Sequence, residues 1–227
     1  MKKQVLGGIL AALMALAIQA PVSAALNDDG DFQFFHDDVI EGKINDQWKA
    51  SAETEFWVGD SASKLYKEEN LFLIGYKVND WLDLAGGYRQ VFELWTKVDA
   101  QAWSTEYRPT FDGTLKYKWE GWELADRNRF EYKMFDREDK EDAFSYRNRV
   151  MVKSPWKWTD WHINPYISNE VFIQEHDDFV RNRMDVGVSF DILQHVSAAI
   201  FYRWQRDKKG DDWLDRNILG TALKFSF

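Results

Sequence analysis

Arginine recurs in this chain at a spacing that can do chemistry. Arg127 and Arg129, Arg147 and Arg149, and Arg181 and Arg183 are each separated by one residue, and Arg203 and Arg216 follow singly. In an extended chain, residues two apart share a face, so each couplet projects two guanidinium groups the same way. A guanidinium is a rigid fork of donors that suits carboxylate, sulfate or phosphate. Glu131 and Glu170 fall in the same alternation as these arginines, and Glu53, Glu55, Glu93, Glu106 and Asp185 repeat the pattern elsewhere. Two chemistries are open. The ladder can attract acidic solutes, such as uronate-bearing oligosaccharides, or its arginines and carboxylates can neutralise one another and fill whatever space they enclose. For any one of Arg127, Arg129, Arg181 and Arg183, pairing across strands is the plainer expectation.

Other chemistry finds little support. The chain has no Cys and only four His, namely His36, His162, His176 and His195. Ser168 and Glu170 share a face, but no Gly-x-Ser-x-Gly elbow accompanies them. The acidic runs around Asp136–Asp142 and Asp211–Asp215 match no calcium-loop spacing. No phosphate loop, zinc pattern or dinucleotide fingerprint is present. A formal net charge of −9 disfavours a nucleic-acid binder. The expectation is a protein without cofactor or metal and without enzymatic activity; an outer-membrane lipid-modifying enzyme is the outlying alternative.

The arginines must ride on strands. Apolar and polar residues alternate at period two through most of the chain. In the last stretch Leu219, Thr221, Leu223, Phe225 and Phe227 share one face, and Arg216, Gly220, Ala222, Lys224 and Ser226 the other. Asn128, Phe130, Tyr132 and Met134 likewise oppose Arg127, Arg129, Glu131 and Lys133. Short connections are expected at Asn45–Asp46, Asn79–Asp80, Glu120–Gly121 and Asp191–His195. Longer acidic ones are expected at Gly59–Lys67, Phe135–Ala143, Gln174–Val180 and Asp207–Asp215. Tight turns alternating with longer loops are the asymmetry of an outer-membrane barrel. Trp48, Trp57, Trp81, Trp103, Trp119, Trp122, Trp161, Trp204 and Trp213 fall near expected strand ends, where amphipathic rings favour a membrane boundary.

The start of the chain reads differently. Lys2 and Lys3, an apolar run from Val5 to Ile18, Pro21 and the small residues before Ala25 make up a secretory signal. Cleavage after Ala24 removes two lysines and takes the net charge from −9 to −11. The expected organisation is residues 1–24 as signal peptide, 25–47 as an N-terminal segment and first strand, and 48–227 as the barrel. The expected fold is all-β, an antiparallel transmembrane β-barrel of 10–12 strands. Ten strands are clear from Trp48 onward, and Phe32–Ile44 reads as an eleventh. Bacterial barrels normally have an even count, so either that segment is less than a full span or Ala25–Ile44 makes two short strands.

The stretches Asp126–Glu131, Tyr146–Arg149, Pro165–Phe172, Arg181–Arg183 and Leu219–Phe227 resemble the bacterial family grouped as domain-of-unknown-function family 2490, read as outer-membrane barrels. The resemblance covers Phe32 to Phe227. It implies the barrel and the bacterial outer membrane; it implies no activity and no catalytic residues. The expected function is therefore a passive channel or binding protein for small, anionic solutes, with a salt-bridged structural barrel as the alternative. The lumen candidates are Arg127, Arg129, Glu131, Arg147, Arg149, Glu170, Arg181, Arg183, Arg203 and Arg216. The expected partners are outer-membrane lipid, lipopolysaccharide and the barrel-assembly machinery, the last through the strand ending in Phe227.

Overall fold

The computed structural model describes residue 26, residues 28–97 and residues 100–227. The signal segment, residues 1–24, lies outside them. Among the described residues every regular element is a strand: β1 (Asp31–Lys43), β2 (Trp48–Gly59), β3 (Lys64–Lys77), β4 (Leu82–Lys97), β5 (Ala100–Trp119), β6 (Trp122–Phe135), β7 (Ala143–Lys153), β8 (Asn164–Gln174), β9 (Asp178–Leu193), β10 (Val196–Lys209) and β11 (Asp212–Ser226). Each strand pairs with the next in sequence, and β1 pairs with β11, so the eleven strands form one closed barrel.

The closure differs from expectation. Phe32–Ile44 is not a partial strand, and the described part of residues 25–44 forms one strand rather than two, because β1 runs beside β11 in continuous register from Asp31↔Arg216 to Glu41↔Ser226. A meander reverses direction at each turn, so an odd number of strands brings the first and last together pointing the same way. The β1–β11 seam is accordingly parallel, and every other pairing is antiparallel. The boundary expected at residue 48 also moves, since β1 is a full stave. The start of β1 and the end of β11 lie at opposite mouths of the barrel, called here the Asp31 end and the Phe227 end.

The expected loop asymmetry is largely absent. The strands continue into the charged stretches, and the connections at the Asp31 end shrink to residues 60–63, 136–142, 175–177 and 210–211. Lys209 pairs with Asp212 and Asp207 with Leu214, so the acidic run after Asp207 is ladder rather than loop. The longest connection, residues 154–163, sits at the other end. It carries Trp156 and Trp158 with parallel rings 6.4 Å apart.

Alternation sorts the side chains into two walls. Outward residues include Phe72, Tyr117, Phe130 and Phe144, each more than half exposed. Inward residues are buried although most are polar or charged. The outer wall is less uniformly apolar than the sequence implied. Asn128 accepts from Tyr146 Oη (2.5 Å) and from Asn148 Nδ2 (3.2 Å). Asn169 and Asn182 pair at 3.1 Å, Thr54 donates to Asn70 (2.9 Å), and His36 bonds Thr221 (2.8 Å). These groups lie between apolar neighbours on the same strands, such as Leu124 and Phe130 on β6, and they satisfy one another.

Inside, one apolar cluster gathers Phe35, Trp57, Tyr66, Phe201 and Ile218. Trp57 is therefore not a boundary residue as the sequence suggested; it is 1% exposed and faces the bore. A register irregularity beside it, between Trp57 and Val58, accompanies the inward placement of both Tyr66 and Lys67. Phe201 is flanked in register by Gly187 on β9 and Gly220 on β11. A Cβ on Gly187 would stand 2.5 Å from Phe201 Cβ and 2.7 Å from the Ile200 carbonyl oxygen, and one on Gly220 would strike the Phe201 ring. Gly187→Val is therefore expected to destabilise the barrel by about 1–3 kcal/mol, the usual cost of overpacking. Gly113→Val, where the added Cβ would meet Leu84 at an ordinary 3.8 Å, is the control. Urea unfolding followed by tryptophan fluorescence compares the two.

Candidate functional site: a charge-lined bore

All ten lumen candidates face inward. Arg129, Glu131, Arg147, Glu170, Arg183, Arg203 and Arg216 are buried, whereas Arg127, Arg149 and Arg181 keep partial exposure of 22%, 30% and 29%. The sequence reading placed the arginines mainly on the C-terminal half, and that was too narrow. Arg89 on β4 and Arg108 on β5 are buried in the same belt. They share the alternation of Glu93 and Glu106, so the signal was present. The inward Phe35, Trp57, Phe172 and Phe201 had no comparable signal, because an aromatic in a barrel strand suits either wall.

The belt joins staves that are distant in sequence. Arg129 holds Asp112 through two bonds of 2.6 Å, and Arg203 holds Asp185 at 2.7 and 3.0 Å. Such two-point pairs are the strongest form of the contact. Arg108 grips Glu106 the same way, at 2.8 Å twice. Arg89 bonds Glu69 and Glu55 and approaches Glu53 at 3.6 Å. Glu131 sits among Arg147 (3.5 Å), Arg89 (3.6 Å) and Arg108 (3.7 Å), which arrive from three different strands. Glu170 receives Arg127 (2.8 Å) and Arg147 (3.1 Å). Asp207 receives Arg216 at 2.7 Å and also Arg181.

The other side of the belt is cationic on aromatic. The Arg183 guanidinium lies 4.7 Å from the Trp57 ring and 4.7 Å from the Phe172 ring. Arg203 lies 4.7 Å from the Phe35 ring. Trp57 stands on β2, so Arg183 of β9 and Arg203 of β10 reach the wall beyond the seam. An aromatic face stabilises a desolvated guanidinium by about 2 kcal/mol.

Two larger chambers that share no lining residue flank the belt, and a smaller cavity of about 120 Å³ between them is lined by Trp57, Lys67, Arg181 and Arg183. The chamber at the Phe227 end has a volume of about 510 Å³ and is lined by eight basic and four acidic residues, among them Arg127, Arg149, Lys153, Asp37 and Glu53. The chamber toward the Asp31 end measures about 400 Å³ and is also lined by eight basic and four acidic residues, among them Lys67, Lys133, Arg181 and Glu106. Lys140, on the 136–142 connection, reaches into this second chamber, and burial pushes its ammonium below the usual lysine range.

The remaining chemical candidates do not assemble. Ser168 Oγ lies 3.3 Å from Asp185 and 3.5 Å from Arg149. His36 is on the outer wall with Thr221, His162 pairs Asp191 (3.1 Å) at the Phe227 end, and His176 is in the 175–177 connection.

Fold and bore together define a class: a closed, odd-stranded β-barrel with a charge-paired lumen. The family described as "Protein of unknown function (DUF2490)" matches residues 32–216, and the chain belongs to it. No curated protein matches the chain.

Arg129 and Asp112 give the belt a test. Arg129→Leu leaves a buried carboxylate uncompensated and is expected to cost about 3–5 kcal/mol, as is Asp112→Leu. The double variant is expected to recover most of that loss. Urea midpoints of the three proteins measure the coupling, and additive losses would mean that the pair does not act as a unit.

Proposed function

We propose that this chain is a bacterial outer-membrane protein whose bore binds small anionic solutes and passes them only when the belt rearranges. Exposed aromatics on the outer wall, closure that leaves no free sheet edge, and the signal-like start of the sequence support the membrane placement. Hydrogen-bonded pairs such as Asn169–Asn182 keep the outer wall's polar groups satisfied where hydrocarbon offers no partner. In this reading β11 ends on the periplasmic side and presents Phe227 to the assembly machinery, and the outer wall meets lipid and lipopolysaccharide.

The observation that carries the solute class is the charge of the two chambers. Each is lined by twice as many basic as acidic residues, in a chain whose net charge is −9. Low-dielectric walls lined by one sign of charge concentrate counter-ions of the other sign. The reading assigns no catalysis and no cofactor. The continuous belt favours a second reading, a purely structural barrel that stays shut.

Planar bilayers containing the purified chain distinguish the two. The expected result is a small conductance that favours chloride over potassium and is reduced by citrate added at the chamber mouths. Cation selectivity would overturn the anion reading. An electrically silent barrel that also binds no citrate would leave the structural reading. A chain that stays monodisperse in water without detergent would remove the membrane placement itself.

A further inference from the structure

The β6–β7 pair sets like charges directly opposite each other twice, Arg129↔Arg147 and Arg127↔Arg149. Like charges across a ladder repel, so each couplet needs outside compensation. The first couplet has it: Arg129 owns Asp112, and Arg147 lies between Glu131 and Glu170. The second does not. Arg127 shares Glu170 with Arg147, and its Nε is buried without a hydrogen bond. Arg149 meets Asp185 only at 3.7 Å, and that carboxylate is already held at two points by Arg203. Further down the same face of β7, Lys153 makes no ion pair among the described residues, and its cross-strand neighbour Glu123 is engaged by Lys118 at 2.9 Å.

Arg127, Arg149 and Lys153 thus form a cationic wall without a matching set of carboxylates, on the chamber of about 510 Å³. The facing wall has opposite character. In the ring of strands β1 lies diametrically across from β6 and β7, and β1 and β2 bring Asp37 and Glu53 into the same chamber. Asp37 Oδ1 is buried without a hydrogen-bond partner. An anion with nothing but acceptors satisfies one wall and meets repulsion at the other.

We infer that the Phe227-end chamber is a two-walled site for an organic anion, its carboxylate, sulfate or phosphate group held by Arg127, Arg149 and Lys153 and its body offering hydroxyl or ammonium donors to Asp37 and Glu53. This rests on the anion-binding reading above and adds the chamber, the orientation and the donor-bearing body.

Titration calorimetry on the full chain in detergent micelles tests it with glucose 6-phosphate, inorganic phosphate and glucose. Glucose 6-phosphate is expected to bind at least tenfold more tightly than phosphate, and glucose not at all. Arg149→Gln and Lys153→Gln should weaken both anions about tenfold, with Arg149→Lys restoring part of the loss. Asp37→Asn should weaken glucose 6-phosphate alone. Arg149 has no carboxylate of its own to orphan, so its variants are expected to fold, as a wild-type circular dichroism spectrum would verify. If phosphate and glucose 6-phosphate bind equally and Asp37→Asn changes nothing, the two-walled site is wrong. If both anions ignore Arg149→Gln but are lost in Lys133→Gln, they occupy the other chamber; the inference then fails while the anion reading stands. No binding of any anion defeats both.

Discussion

A guanidinium shut inside a closed sheet has to find negative charge or an aromatic face, and most of this barrel's interior follows from that requirement. Arg89 and Arg129 are about 1% exposed, and an isolated ion so deeply buried costs several kcal/mol. Neutralisation comes mainly from neighbouring and facing staves. Asp112 on β5 serves Arg129 on β6, and Asp185 on β9 serves Arg203 on β10. Glu131 on β6 lies close to Arg89 on β4 and Arg147 on β7. A slip of one residue in any of these registers would turn the charge to the outer wall and orphan its partner. The charge pattern thus specifies which strands meet and at what offset, a task that apolar cores leave to shape.

The same requirement limits what the bore can be. Paired charges narrow its middle, where a cavity of about 120 Å³ lies between the two larger chambers. Their walls nevertheless remain richer in base than acid, because the carboxylates concentrate in the belt and serve several arginines at once. Glu170 takes both Arg127 and Arg147, and Asp207 both Arg181 and Arg216. Unmatched cations are left beyond the belt on both sides, where a solute rather than a side chain can meet them.

Much of this could be read from alternation alone. The period of two along Leu219–Phe227 and Asn128–Met134 established the strands, and it placed every lumen candidate on the correct wall. Three things escaped for physical reasons. Charge density misled at Asp207–Asp215, because at the barrel rim acidic residues such as Asp212 belong to the ladder itself. The approach of Arg89 on β4 to Glu131 on β6 spans the intervening β5, and no single strand's pattern refers to it. Trp57 was read as a boundary residue yet is buried in the bore with Phe35, Phe172 and Phe201, because an aromatic in a barrel strand suits either wall. The strand count was open because the rule of even numbers was applied to a barrel that joins its first and last staves in parallel.

That parallel seam has a topological consequence. With Asp31 and Ser226 emerging from opposite mouths, a short peptide cannot join the start of β1 to the end of β11. Cyclic permutation, which even-stranded barrels can tolerate with a tight added turn, would here demand a linker threaded through the charged bore or passed along the outer wall. The odd number of staves thus keeps the start of the first and the end of the last at opposite mouths.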